Sequence, residues 1–126
     1  MKKIVSLVLA LIFVFTLAGC SSDADVKSEG VMTYAEYVAA ELDTPVVIET
    51  YVQAKQSWWD NKATVYTQDR DGAYFLYNMA CSEADYAKLT VGTKIKVTGT
   101  KSAWSGEVEI IDATFEIESG NFVASP

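Results

Sequence analysis

TPVVIETYVQAKQSWW, residues 44–59, alternates side chains that suit the inside and the outside of a sheet. One face of this segment carries Val46, Ile48, Thr50, Val52 and Ala54. The other face carries Val47, Glu49, Tyr51, Gln53 and Lys55. A period of two residues is typical of a half-buried strand. Pro45 suits the first position of a strand, because its missing N–H costs no ladder hydrogen bond there. We therefore predict one extended strand over Thr44–Trp59, with the later strands as its partners.

Four further segments alternate in the same way and predict strands: Lys62–Gln68, Ala73–Met79, Lys94–Thr100 and Glu107–Glu118. Turn residues separate the first strand from the second (Asp60-Asn61), the second from the third (Asp69 to Gly72) and the fourth from the fifth (Gly106). Gly72 is available for a positive φ in its hairpin. The sequence therefore predicts a mainly β fold.

Two short helices interrupt the predicted strands. Thr33 and Glu36 have the spacing of a capping box, which predicts a helix from about Tyr34 to Glu41. Ser82 precedes two acidic residues and a terminal lysine, which predicts a second helix ending near Leu89. The second helix lies between the third and fourth strands.

The amino terminus has the pattern of an export signal, with Lys2 and Lys3 before an apolar run from Ile4 to Leu17. The run ends in Leu17-Ala18-Gly19-Cys20, which resembles the bacterial lipobox. That resemblance implies cleavage before Cys20, diacylglycerol on its thiol and a fatty acyl chain such as palmitate on its amino group. The alternative, an uncleaved transmembrane helix, needs about 20 apolar residues, and this run is shorter.

These features divide the chain into a signal peptide (residues 1–19), a lipidated cysteine with an acidic tether (20–31) and one domain (32–126). Two or three acyl chains hold a protein durably on a membrane. We therefore expect a protein anchored to the outer, extracytoplasmic face of the cell membrane that does not span it.

Charge and composition weigh against several functions. The net charge is −7, and removal of the signal makes the chain more acidic still, which disfavours nucleic acid because phosphate binding depends on Lys and Arg. The chain has no histidine and no recognisable catalytic or phosphate-binding motif, so we expect neither an enzyme nor a cofactor or metal site. Once Cys20 carries lipid, Cys81 is left single. It is expected to be a small buried residue, with a reactive or intermolecular thiol as the alternative.

LTVGTKIKVTG, residues 89–99, resembles the segment that leads into the fourth strand of an OB-fold, with Gly99 at the bend that closes the barrel. That resemblance implies a five-stranded Greek-key barrel with a helix between strands three and four. The lipobox, the tether and residues 57–60, 66–69 and 71–74 together resemble small OB-fold lipoproteins of Gram-positive bacteria. This closer resemblance implies a fold and a location, not an activity.

OB-folds usually bind ligands on strands two and three, between the loops that join strands one to two and four to five. Residues 58–61 and 102–106 would form these loops, which would hold Trp58, Trp59 and Trp104. Tyr51, Tyr66 and one of Tyr74 or Tyr77 would add a stacking platform. The alternative is that these rings plug the ends of the barrel.

The remaining acidic motifs favour structural roles. Glu107, Glu109, Glu116 and Glu118 alternate with other residues, as on a solvated strand face. Asp69-x-Asp71-Gly72 matches part of a calcium loop, but no acidic residue closes it, which favours a hairpin turn.

These observations favour a binding module that holds an extended glycan or peptide, or an envelope protein, through an aromatic rim. The alternative is a structural or assembly subunit whose rim is a protein–protein interface. Single-stranded nucleic acid binding is a third and less favoured class.

Overall fold

The computed structural model describes residues 26–125. Its elements, in chain order, are α1 (Tyr34–Ala39), β1 (Pro45–Lys55), β2 (Lys62–Gln68), β3 (Ala73–Ala80), α2 (Glu83–Lys88), β4 (Thr93–Trp104) and β5 (Glu107–Asn121). The predicted signal peptide and Cys20 lie outside the described residues.

The five strands close into a barrel in the order β1-β2-β3-β5-β4. The neighbours pair antiparallel except β3 and β5, which run parallel and meet at Leu76 and Ile110. With α2 between β3 and β4, this confirms a mainly β, OB-like barrel. Inward side chains fill it, including Ile48, Val65, Leu76, Leu89, Ile95, Val97 and Ile110.

β1 is shorter than predicted. Val46, Ile48, Thr50 and Val52 point inward as the alternation requires, but a register shift follows Val52 and leaves Ala54 exposed. The strand ends at Lys55 rather than Trp59. Positive φ angles at Asp60 and Asn61, both residue types that tolerate them, then turn the chain into β2. Trp58 and Trp59 therefore lie in the connection from β1 to β2.

The second hairpin turn is tighter than predicted, because β4 continues to Trp104 and only Ser105 and Gly106 connect it to β5. Both have positive φ, as a two-residue hairpin matching the twist of its strands requires. Gly99 lies at a register shift of β4, where an added Cβ would come within 2.6 Å of the Ile110 side chain. That close approach accounts for a glycine at the predicted bend.

The prediction of a positive φ at Gly72 is wrong. A Cβ there would lie 2.2 Å from the Tyr34 ring, so lack of space, not φ, requires the glycine. The predicted hairpin turn is confirmed, since Asp69 Oδ1 accepts hydrogen bonds from the Asp71 and Gly72 amides at 2.8 Å.

The helix caps form as the sequence predicts. Thr33 and Glu36 make both hydrogen bonds of the capping box, and Ser82 Oγ accepts from the Asp85 amide. α1 ends at Ala39, two residues before the predicted end, where Lys101 Nζ donates to the carbonyls of Tyr37, Val38 and Ala40 at 2.7–2.9 Å. A lysine ammonium at this end also suits the helix dipole.

Cys81 is buried, as predicted, and burial with the nearby Asp85 carboxylate raises the pKa of its thiol. A thiol in this state is a poor nucleophile at neutral pH.

Candidate functional site

A groove runs along the outside of the barrel between β3 and β5. In the described part of the chain these strands pair only at Leu76 and Ile110, and no further ladder pair joins them on either side. Asn78 on β3 and Asp112 on β5 both have positive φ, and both line the groove two residues beyond that pair. Three neighbouring hollows form the groove: the first and second share Tyr77, and the second and third share Lys62, Asn78 and Asp112. The first hollow has a volume of about 300 Å³.

Aromatic rings form one wall of this groove. The outward positions of β3 place Phe75 and Tyr77 side by side, with ring centroids 6.3 Å apart. Tyr66 on β2 stacks on Phe75 at 5.2 Å and an interplanar angle of 23°. Gln56 Nε2 donates to the Tyr66 hydroxyl at 2.7 Å, which orients that ring. The wall is therefore a row of rings across two strands.

Trp104 closes one end of the groove. It is the last residue of β4, opposite Glu107 in the hairpin, and it is 72% exposed. It lines the first hollow with Phe75, Tyr77, Glu107 and Glu109. An indole this exposed contributes little to the core, so the barrel-plug alternative does not apply to Trp104.

The rest of the lining is acidic. Four acidic residues and one lysine, Lys62, line the three hollows. The acidic residues are Asp60, Glu107, Glu109 and Asp112. The prediction that Glu109 lies on a solvated face is wrong, because the residue is only 7% exposed. The neighbouring strand β3 and the aromatic wall cover it, which the alternation along β5 does not reveal. Among residues 26–125, no side-chain hydrogen bond or ion pair reaches the Glu109 carboxylate.

The five residues predicted as the ligand site do not all meet. Trp104 lines the groove, and Tyr66 extends its wall through Phe75. Trp59 is 68% exposed at the β1–β2 connection but is not among the described residues that line the hollows. Trp58 is half-buried, and its Nε1 donates to the Cys81 carbonyl at 3.0 Å, so it has a structural contact.

Tyr51 lies on a different face of the barrel. It is buried and packs edge-to-face on Phe122 at 5.5 Å, so it forms no platform with Tyr66. Of the two alternatives on β3, Tyr77 faces the groove and Tyr74 faces the core. The predicted site omits Phe75 and Glu109, and the alternation of β3 that exposes Tyr77 also marks Phe75.

The outer face of β1 is covered by the segment before α1. Lys27 Nζ lies 2.6 Å from Asp69 Oδ2 and 2.8 Å from the Glu49 carbonyl oxygen. The Ser28 amide and hydroxyl donate to the Glu49 carboxylate at 3.1 and 2.6 Å. Lys27 and Ser28, which lie within the predicted tether, therefore contact the barrel instead of extending away from it. We call Lys27, Ser28, Glu49 and Asp69 the covered face.

Hydrogen bonds control the ionisation of these two acids. Burial alone would raise the pKa of Asp69, but donors from Lys27, Tyr74 and the turn amides more than offset it, so that pKa lies below its ordinary value. Burial likewise opposes ionisation of Glu49, and the Ser28 hydrogen bonds hold its pKa below the ordinary value. Both groups stay charged because the protein itself supplies their donors.

No protein-family model matches the chain, and no curated protein is similar enough to count as a relative. Within residues 26–125, no helix has both the length and the apolar character needed to cross a membrane.

Proposed function

We propose that this protein is an extracytoplasmic lipoprotein whose barrel, an OB-fold, is a binding module for an extended glycan or peptide or for an envelope protein. The observation that carries the binding proposal is the exposed aromatic wall of the groove, ending in Trp104. The groove extends between the β4–β5 and β1–β2 connections, the two loops that flank OB-fold binding sites, but it runs along β3 and β5 rather than β2 and β3.

The shape and chemistry of the groove suit an extended ligand. Three neighbouring hollows offer consecutive positions, and flat rings accept sugar faces or apolar side chains. The acidic lining disfavours phosphates, so oligonucleotides are expected to show no binding even at low salt.

The binding proposal is tested with the double variant W104A/Y77A in the full-length protein purified in detergent. The probes are chitohexaose and a pool of unstructured peptides, measured by calorimetry. Each stacked ring is worth about 1–3 kcal/mol where measured on bases, so binding should weaken at least tenfold. Trp59→Ala is the matched control, because it removes an equally exposed indole outside the groove, and it should leave binding unchanged.

A second candidate, the assembly subunit, is favoured by the same exposed rings, since aromatic residues are enriched at protein interfaces. In that case W104A/Y77A changes the oligomeric state or the co-purifying envelope proteins and leaves the probes unaffected. Absence of both effects in a folded variant would remove both candidates.

The anchor is tested separately. Cys20→Ala should move the protein from the membrane fraction to the soluble fraction and remove the mass of the acyl chains. Cys81→Ala removes the other thiol and should leave both properties unchanged. Acylated protein recovered from the Cys20→Ala cells would contradict the anchor proposal.

A further inference from the structure

Glu109 is a largely buried residue whose carboxylate has no hydrogen-bond or ion-pair partner among residues 26–125. Glu49, Asp69 and Lys101 are comparably buried, and each is hydrogen-bonded within the described chain. The Glu109 oxygens are not among the buried atoms without a partner, so the carboxylate reaches solvent and is open to a ligand that supplies donors. Glu109 also lines the first hollow of the groove, so its carboxylate is reachable from that side.

We propose that Glu109 binds the cationic end of a lysine or arginine side chain presented by a peptide partner. This inference rests on the proposed function, because it assigns a ligand class to the same groove. The ammonium or guanidinium would supply the hydrogen bonds that residues 26–125 do not give Glu109.

The surrounding rings suit the same group. Trp104, Phe75 and Tyr77 line the hollow beside Glu109, and tryptophan is the aromatic side chain that attracts cations most strongly. The methylene stem of lysine or arginine packs well on apolar rings while its charged end extends beyond them. The protein uses this arrangement elsewhere, where Lys55 Nζ lies 3.8 Å from the centre of the Tyr86 ring.

The burial of Glu109 favours a peptide side chain over an amino sugar. Only 7% of the residue is exposed, so a ligand reaches the carboxylate from within the first hollow rather than from the open surface. An unbranched stem of three or four carbons can do this, whereas an amine attached directly to a sugar ring is held back by the ring. The further carboxylates Glu107 and Asp112 would attract the same cationic partner along the groove.

The test compares two blocked pentapeptides, Gly-Gly-Lys-Gly-Gly and the same peptide with ε-acetyl-lysine, on the full-length protein in detergent. The readout is the NMR shift of the Trp104 indole N–H, with the Trp58 and Trp59 indoles as internal references. We expect the lysine peptide to bind at least fivefold more tightly, because acetylation replaces the charged ammonium with a neutral amide. Glu109→Gln should reduce that ratio to about one.

Glu116→Gln is the matched control, since it removes the same unit of charge from an exposed position of β5 outside the groove lining. It should keep the fivefold ratio. The comparison of the two peptides on the unaltered protein needs no variant, so it holds even if Glu109→Gln fails to fold.

Equal affinity for the two peptides would overturn the inference while leaving groove binding in place. Tighter binding of a glucosamine hexamer than of the lysine peptide, lost in Glu109→Gln, would overturn the choice of a peptide. If neither peptide moves the Trp104 signal and W104A/Y77A also leaves every probe and partner unaffected, the proposed function fails with it.

Discussion

The covered face lies on β1 and at the end of β2, and the groove lies between β3 and β5. Both hold buried carboxylates, but only those of the covered face have hydrogen-bond donors among the described residues. On the covered face, Lys27 and Ser28 supply donors to Asp69 and Glu49. In the groove, Glu109 is as nearly buried but has no donor among residues 26–125. A buried charge with its donor in the same chain belongs to the structure. A carboxylate in the groove that receives no hydrogen bond from residues 26–125 is open to a ligand that supplies the donor.

The largest expected effect comes from removing the ion pair between Lys27 and Asp69 on the covered face. Lys27→Met keeps most of the side-chain volume but leaves the buried Asp69 without its cation. Removing one member of a buried pair typically lowers the free energy of unfolding by about 3–5 kcal/mol. Urea denaturation of the full-length protein in detergent measures the loss. Lys88→Met, which breaks an exposed pair with Asp85, should change stability by less than about 1 kcal/mol.

The pH dependence gives an independent readout of the same contact. Because the pKa of Asp69 is lowered in the folded state, its ionisation contributes stability above the ordinary aspartate pKa of about 4. That contribution is lost as the pH falls through the lowered value. In Lys27→Met the pKa of Asp69 should lie closer to its ordinary value, so the stability lost on acidification should be smaller than in the unaltered protein. Identical pH profiles for the two proteins would show that Lys27 does not control Asp69.

Features that depend on neighbouring residues could be predicted from the sequence. The alternation within each strand, the Thr33 and Ser82 caps and the Gly106 turn all act over a few residues, and the structure has each of them. The same local pattern places Tyr66 on the outward side of β2, as the structure has it, whereas the sequence leaves the exposure of Trp104 open. The pattern also overextends β1 to Trp59, because alternation does not reveal the register shift after Val52 or the end of the strand at Lys55.

Features that depend on distant segments could not be predicted. Alternation places Tyr51 on the outer side of β1 correctly, but not the Phe122 ring that covers it from the end of the chain. The docking of Lys27 joins residues 42 positions apart, within a polar segment that has no periodicity. Glu109 looks like its exposed neighbour Glu107 in sequence, and only the passage of β3 beside β5 buries it.

The comparison can be sharpened by making one substitution on each face. Glu49→Gln removes the charge that accepts two hydrogen bonds from Ser28, and it should lower the free energy of unfolding by about 1–3 kcal/mol. Glu109→Gln removes a charge that no described residue stabilises. It should leave the free energy of unfolding unchanged or raise it by up to about 1 kcal/mol, because a neutral amide costs less to bury.

Both variants lose the same charge and nearly the same shape, so the difference between their urea midpoints compares a carboxylate that has several partners with one that has none among residues 26–125. Equal m-values would confirm that the unfolded states are comparable. Ligand-binding sites commonly reduce the stability of a protein, and replacing their charged groups often raises stability while lowering binding. If Glu109→Gln instead destabilises the protein as much as Glu49→Gln, the Glu109 carboxylate has a structural role, and the contrast between the two faces does not hold.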